Sequence, residues 1–155
     1  MNPKEEIRNS VEIRYNKNQA LFFLIVDIFI SVLSFILLAP SIGFTSTIFP
    51  IALFNLIFLP FIAFYVYRIV HINKNYHNYL FQEVLFNEPH TSFNRSMFFT
   101  IKVKDENGKI IKKDTRAIFQ SAYAIITPTF DDYVNKKVLV GYNPKFDEVV
   151  VIRII

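Results

Sequence analysis

The sequence predicts a membrane α-helical hairpin followed by a small all-β domain, an SH3/OB-like barrel or a curled antiparallel sheet. Three observations carry this. The stretch from Ala20 to Tyr67 contains one charged side chain, Asp27. The uncharged break Pro40-Ser41-Ile42-Gly43 divides that stretch into two runs, each long enough to cross a bilayer. Beyond Pro89 the pattern changes to short β-prone runs separated by turn residues. Composition agrees: of 155 residues 52% are hydrophobic and 19% charged, with 18 Phe and 8 Tyr, oilier than a soluble domain of this size needs. The length excludes a large multidomain enzyme.

Taken in order, the segment 1–19 reads as a cytoplasmic N-terminal arm. Ile7, Val11 and either Ile13 or Tyr15, set among charges, predict a short interfacial amphipathic helix. The first span, 20–39, is ALFFLIVDIFISVLSFILLA; at about 1.5 Å rise per residue it covers a hydrocarbon core of roughly 30 Å. The second, 48–67, is IFPIALFNLIFLPFIAFYVY, in which Pro60 is expected to bend the helix. Together, 20–69 form a hairpin. A cleaved signal peptide is the weaker reading of the first run, because its n-region and apolar core are both too long and a second span follows.

Orientation follows from flanking cations. Lys4, Arg8, Arg14 and Lys17 precede the first span, Arg68 and Lys74 follow the second, and the linker from Pro40 to Thr47 is uncharged. The expectation is a multi-pass protein of the cell membrane with both termini cytoplasmic. Tyr65 and Tyr67 beside Arg68 fit an interfacial aromatic belt.

Within the spans, an ionisable group is costly and calls for water or a partner. Asp27, Ser31 and Ser34 fall at i, i+4 and i+7, on one helical face. Ala52, Asn55, Leu59 and Ala63 form a comparable face of small and polar side chains on the second span. Asp27, Ser31, Ser34 and Asn55 are therefore the candidate site, an intramembrane polar face. Counting from the cytoplasmic ends puts Asn55 level with Ser34 and Asp27 level with Ala63, so Asn55 and Asp27 are not expected to touch.

Residues 70–96 read as a connector of ambiguous type, since Tyr76, Leu80 and Val84 fit a helical period while the composition also suits a strand. The cytoplasmic β-domain is placed at 97–155. MFFTIKVK, from Met97 to Lys104, is a strand; Asp105-Glu106-Asn107-Gly108 is a hairpin turn; Lys109 to Lys113 begins the return. A β-prone run follows from Ala117 to Ile126, then a loop with Pro128, Asp131 and Asp132. Strands at Lys137 to Tyr142 and Glu148 to Ile154 are joined by Asn143-Pro144-Lys145-Phe146-Asp147.

Two spans, a strand ending in Asp105-x-Asn107-Gly108, and a last hairpin carrying Val138, Val140, Tyr142, Asn143, Pro144, Val149 and Val151 resemble a broad class of uncharacterised small bacterial membrane proteins with a C-terminal β-domain. The layout is also similar to that of NfeD-type proteins, in which spans precede an OB barrel; this chain, with 3 Gly, departs from their glycine-rich barrel. The resemblance implies a fold and a bacterial membrane location, and no catalytic residues.

Without Cys there is no thiolate metal site or disulfide, and His71, His77 and His90 are not spaced as ligands. Neither a Gly-rich phosphate loop nor a G-x-S-x-G elbow nor a His-Glu-x-x-His occurs. Asp131 and Asp132 read as turn residues. Tyr123, Tyr133 and Tyr142 with Phe119 and Phe130 read as core filling, the alternative being a base-stacking face. The net charge of +4 is spread evenly, and Lys102, Lys104, Lys109, Lys112 and Lys113 are diluted by Asp105, Glu106 and Asp114, so no nucleic-acid face is expected. Neither catalytic, cofactor nor metal residues are assigned. The function expected is that of a non-catalytic integral membrane protein, accessory or immunity-type. Its expected partners are membrane lipid and either a membrane or cytoplasmic protein or a second copy of itself. The alternative is a small transport or channel-associated subunit using Asp27.

Overall fold

The computed structural model describes residues 2–92, 96–119 and 128–155. The chain divides into two compact units, one of residues 16–69 and one of residues 1–15 with 70–155.

The first unit is a helical hairpin. It is formed by α2 (Val11–Ile42) and, after one residue, α3 (Phe44–Lys74), whose outer ends, with the short helix α1 (Pro3–Arg8) that precedes α2, belong to the other unit. Both long helices are apolar and long enough to cross a membrane. They exceed the predicted spans at both ends, because a hydropathy window stops where polar residues begin while the helical backbone does not. The expected break, Pro40-Ser41-Ile42-Gly43, narrows to its last residue. Helix α2 runs through Pro40, and α3 runs through Pro50 and Pro60. The chain reverses at Gly43, whose φ of +83° is open to glycine at little cost. Its N–H donates to the Ala39 carbonyl at 3.0 Å, closing α2, and its carbonyl accepts the Thr47 hydroxyl at 2.9 Å, opening α3.

The second unit is built of two three-stranded antiparallel sheets, with orders β1-β5-β6 and β2-β3-β4. The strands are β1 (Leu80–Leu85), β2 (Glu88–Thr91), β3 (Met97–Lys104), β4 (Ile110–Asp114), β5 (Lys137–Asn143) and β6 (Glu148–Ile154). Among the described residues the strands form two small antiparallel sheets and not a closed barrel. The ambiguous connector takes both of its readings in turn: α3 continues to Lys74, a 3₁₀ turn spans Tyr76–Asn78, and β1 and β2 belong to the sheets. Two of the six strands thus precede Met97. Of the β-prone run at 117–126, Phe119 makes an isolated bridge to Met97, and residues 120–126 lie outside the described residues.

Local chemistry sets both predicted hairpins. Asp105 Oδ1 accepts the N–H groups of Asn107 at 2.9 Å and Lys109 at 2.8 Å, and Gly108 takes the positive φ of +77° that the turn requires. In the last hairpin Asn143 Oδ1 accepts the Lys145 N–H at 3.1 Å, and Asp147 takes a φ of +51°. Gly141 in β5 is a packing requirement: a Cβ there would stand 3.1 Å from Tyr79 Cδ1.

The core between the sheets is aromatic. Phe99 sits 4.7 Å from Phe130 in a stacked pair, 4.5 Å from Phe86 and 5.3 Å from Phe119 in an edge contact. Phe119, Phe130, Tyr133 and Tyr142 are all buried, filling the core as the sequence suggests. Tyr123 lies outside the described residues. Gln82 joins the sheets by mimicking a peptide group: its amide donates to the Lys104 carbonyl at 2.7 Å and its oxygen accepts the Lys104 N–H at 2.6 Å.

The N-terminal arm joins this core. Ile7, Val11 and Ile13 are buried in protein, and Val11 is part of the aromatic cluster. The apolar stripe read as a lipid-facing interfacial helix therefore faces protein, because the open sheets offer it a dry surface.

Candidate functional site

Between residues 20 and 67 two side chains are buried, Asp27 and Thr47; the large apolar residues, among them Phe29, Ile36, Phe49 and Leu56, are exposed. The hairpin seam is thus narrow, and Asp27 lies in it at 5% exposure. Phe23, one turn before Asp27, stacks on Phe61 at 5.2 Å and on Tyr65 at 5.8 Å. One turn after it, Ser31 Oγ accepts a hydrogen bond from Asn55 Nδ2 at 3.4 Å, and the same amide donates to the Ile51 carbonyl at 2.8 Å.

These contacts correct the predicted register. Asn55 meets Ser31 and not Ser34, and Asp27 falls level with Leu59, one turn from the expected Ala63. The cause is the pivot. Ser31 lies twelve residues before Gly43 and Asn55 twelve after it, whereas counting from the ends placed the turn two residues later. Ser34 is half-buried on the same face. The structure therefore brings Ser31 and Asn55 together and leaves Asp27 between them and an aromatic cluster, with Oδ1 lacking a hydrogen-bond partner among the described residues.

Elsewhere the predicted absences rest on sequence, and the structure locates the residues concerned. His71 makes an edge contact with Phe146 at 4.6 Å and approaches Glu148 at 3.8 Å; His90 stacks on Phe98 at 5.2 Å; His77 lies beside Tyr76. Among the described residues no three His, Asp or Glu gather as metal ligands. Asp131 and Asp132 are exposed in a turn. Lys102 and Lys112 face one another across β3 and β4, while Lys112 pairs with Glu88 at 3.1 Å and Lys113 with Asp147 at 2.6 Å. Asp147 also accepts the Tyr142 hydroxyl at 2.9 Å. The bonds from Lys113, then Tyr142, hold the Asp147 carboxyl below its usual range, and burial followed by that bond pushes the Tyr142 phenol up to about 12.

Sequence reasoning missed Glu12. It is fully buried at the start of α2, where Oε2 accepts the Val151 N–H of β6 at 2.7 Å. Burial raises its carboxyl to about 8, against the lowering effects of that bond, of its own backbone N–H and of Arg116. Its position between Val11 and Ile13 was the available hint, since an arm whose apolar residues are buried carries its intervening charge inward.

Comparison of the chain with protein-family models, with curated proteins and with solved structures gave no match. The class is therefore defined by architecture: a hairpin of two helices long and apolar enough to cross a membrane, joined to a two-sheet β-domain.

Proposed function

We propose that this chain is a non-catalytic integral membrane protein of accessory or immunity type, in the bacterial cell membrane, with both termini cytoplasmic and a β-domain that binds a protein partner. The observation that carries this reading is the fate of the aromatic residues. Phe119, Phe130, Tyr133 and Tyr142 are consumed by the core, so the faces left for contact are strand edges and turns. Ile110, at the tip of the β3–β4 hairpin, is 62% exposed, and Phe146 in the last turn is 43% exposed. Exposed apolar side chains on rigid hairpins suit protein recognition. The cation distribution beside the helices supports the orientation.

The test is protection. Cells expressing the chain should survive the product of a neighbouring toxin gene, and Ile110→Asp, a surface change away from the core, should reduce survival at equal protein level. Equal killing with and without the chain would remove the immunity reading. Purification in mild detergent then identifies a partner retained by the unaltered chain and lost with Ile110→Asp.

A second reading is favoured by Asp27, whose carboxyl is buried in the seam with Oδ1 lacking a hydrogen-bond partner among the described residues. In a small transport or channel-associated subunit it would serve a proton or cation. Asp27→Asn in liposomes should then abolish flux, and unchanged flux would dismiss that role.

A further inference from the structure

Strand β6 ends its sheet, so its outward N–H groups have no neighbouring strand among the described residues. The N-terminal arm takes that place. Val151 N–H donates to Glu12 at 2.7 Å, Arg153 Nε lies 3.4 Å from Glu6 Oε2, and α1 lies against β6 and the 3₁₀ turn at Tyr76–Asn78. The arm is aimed by its own cap. Ser10 Oγ accepts the Ile13 N–H at 3.3 Å, starting α2 so that Glu12 falls in the first turn. Ile7, Val11 and Ile13 are buried, which leaves Glu12 away from water.

We infer that residues 3–15 are a proton-operated latch over the outer edge of β6, loosened when Glu12 loses its proton. A neutral carboxyl can occupy this dry seat and still accept the Val151 N–H, whereas a carboxylate must shed its hydration to stay there. The surrounding groups do not reverse this. Arg116, from the segment after β4, favours the charged form, and Glu148 at the start of β6 opposes it. Glu148 in turn faces His71 at the end of α3. Tyr133, from the turn at 130–135, feels Glu12 and also Arg14 of α2. Desolvation outweighs all of these.

The sign follows from linkage. The docked arm holds its proton up to about pH 8, and a released arm would give it up near the ordinary 4.5. Docking is therefore full below about 4.5, weakens up to tenfold per pH unit between those values, and is constant above. The inference is independent of the partner-binding reading.

Hydrogen exchange of the Val151 amide, followed by NMR on the full chain in detergent micelles and corrected for intrinsic exchange, reads this opening directly. Protection should fall up to tenfold per unit between pH 5.5 and 8 and level off above, while the Val140 amide in β5, which needs more than release of the arm to exchange, stays better protected than Val151 at every pH. In Glu12→Gln the Val151 profile should be flat. Three results would each overturn the latch: pH-independent protection in the unaltered chain, Val151 protected no less than Val140, which would mean exchange by global unfolding alone, or an unchanged slope in Glu12→Gln. Should that variant not fold, the profile of the unaltered chain decides alone.

Discussion

Replacing Glu12 by Gln should make the stability of the β-domain nearly independent of this position's titration, and the size of the effect can be worked out. The carboxyl sits at about 8 in the folded chain against 4.5 in the unfolded one. Folded protein thus binds the proton more tightly, so the stabilisation is present at acid pH and is lost as pH rises toward 8. At about 1.4 kcal/mol per pH unit, going from pH 5.5 to 8.5 costs the unaltered chain about 3 kcal/mol that Glu12→Gln does not lose. Against this stand Ile7, Val11 and Ile13, whose burial stabilises the arm by roughly 4.5 to 9 kcal/mol in all. The apolar term wins, so the arm remains mostly docked through this range while its margin narrows. Urea unfolding of the full chain in detergent, monitored by near-UV circular dichroism of the aromatic core, measures both curves. They should differ little at pH 5.5 and separate by about 3 kcal/mol at pH 8.5, with Glu12→Gln the more stable. Parallel curves would show that the seat is wetter than its geometry indicates and would refute the argument.

Other substitutions test the packing. Phe99→Ala removes a fully buried ring that contacts Phe86, Phe119 and Phe130, and should cost about 3–5 kcal/mol in the same unfolding assay. Gly141→Ala places a Cβ 3.1 Å from Tyr79 and should cost about 1–3 kcal/mol; no loss would mean that the ring moves freely. Asn55→Ala removes the interhelical bond to Ser31 and should lower hairpin stability by only about 0.6 kcal/mol, read by unfolding in mixed detergents, since such bonds are weak within membranes.

How much of this was legible in the sequence depends on the distance over which each feature is decided. The β3–β4 turn was readable because Asp105, Asn107 and Gly108 build it among themselves. The last hairpin was readable for the same reason, through Asn143 and Asp147. Spacing alone put Asp27, Ser31 and Ser34 on one face of the first span, and Asp27 is buried. The register of the hairpin was not legible, because a shift of the pivot moves every pairing along both helices, and counting from the ends did not single out Gly43 as the residue where the chain turns. Strand β1 was ambiguous because its exposure pattern is irregular, with Val84 its single buried side chain. Val11 and Ile13 hinted at Glu12, but its partner was not legible, since the strand it caps lies 139 residues further along the chain.

The central claim is that the apolar hairpin crosses a membrane and leaves both termini on the cytoplasmic side. The chain has no Cys, so single cysteines report position without background. Ser41→Cys, beside the turn, and Lys136→Cys, exposed in the β-domain, should be compared in intact cells with a membrane-impermeant maleimide. The account predicts that Ser41→Cys is labelled at once and that Lys136→Cys is labelled only after permeabilisation. Labelling of Lys136→Cys from outside, or recovery of the chain in the soluble fraction after lysis, would contradict it.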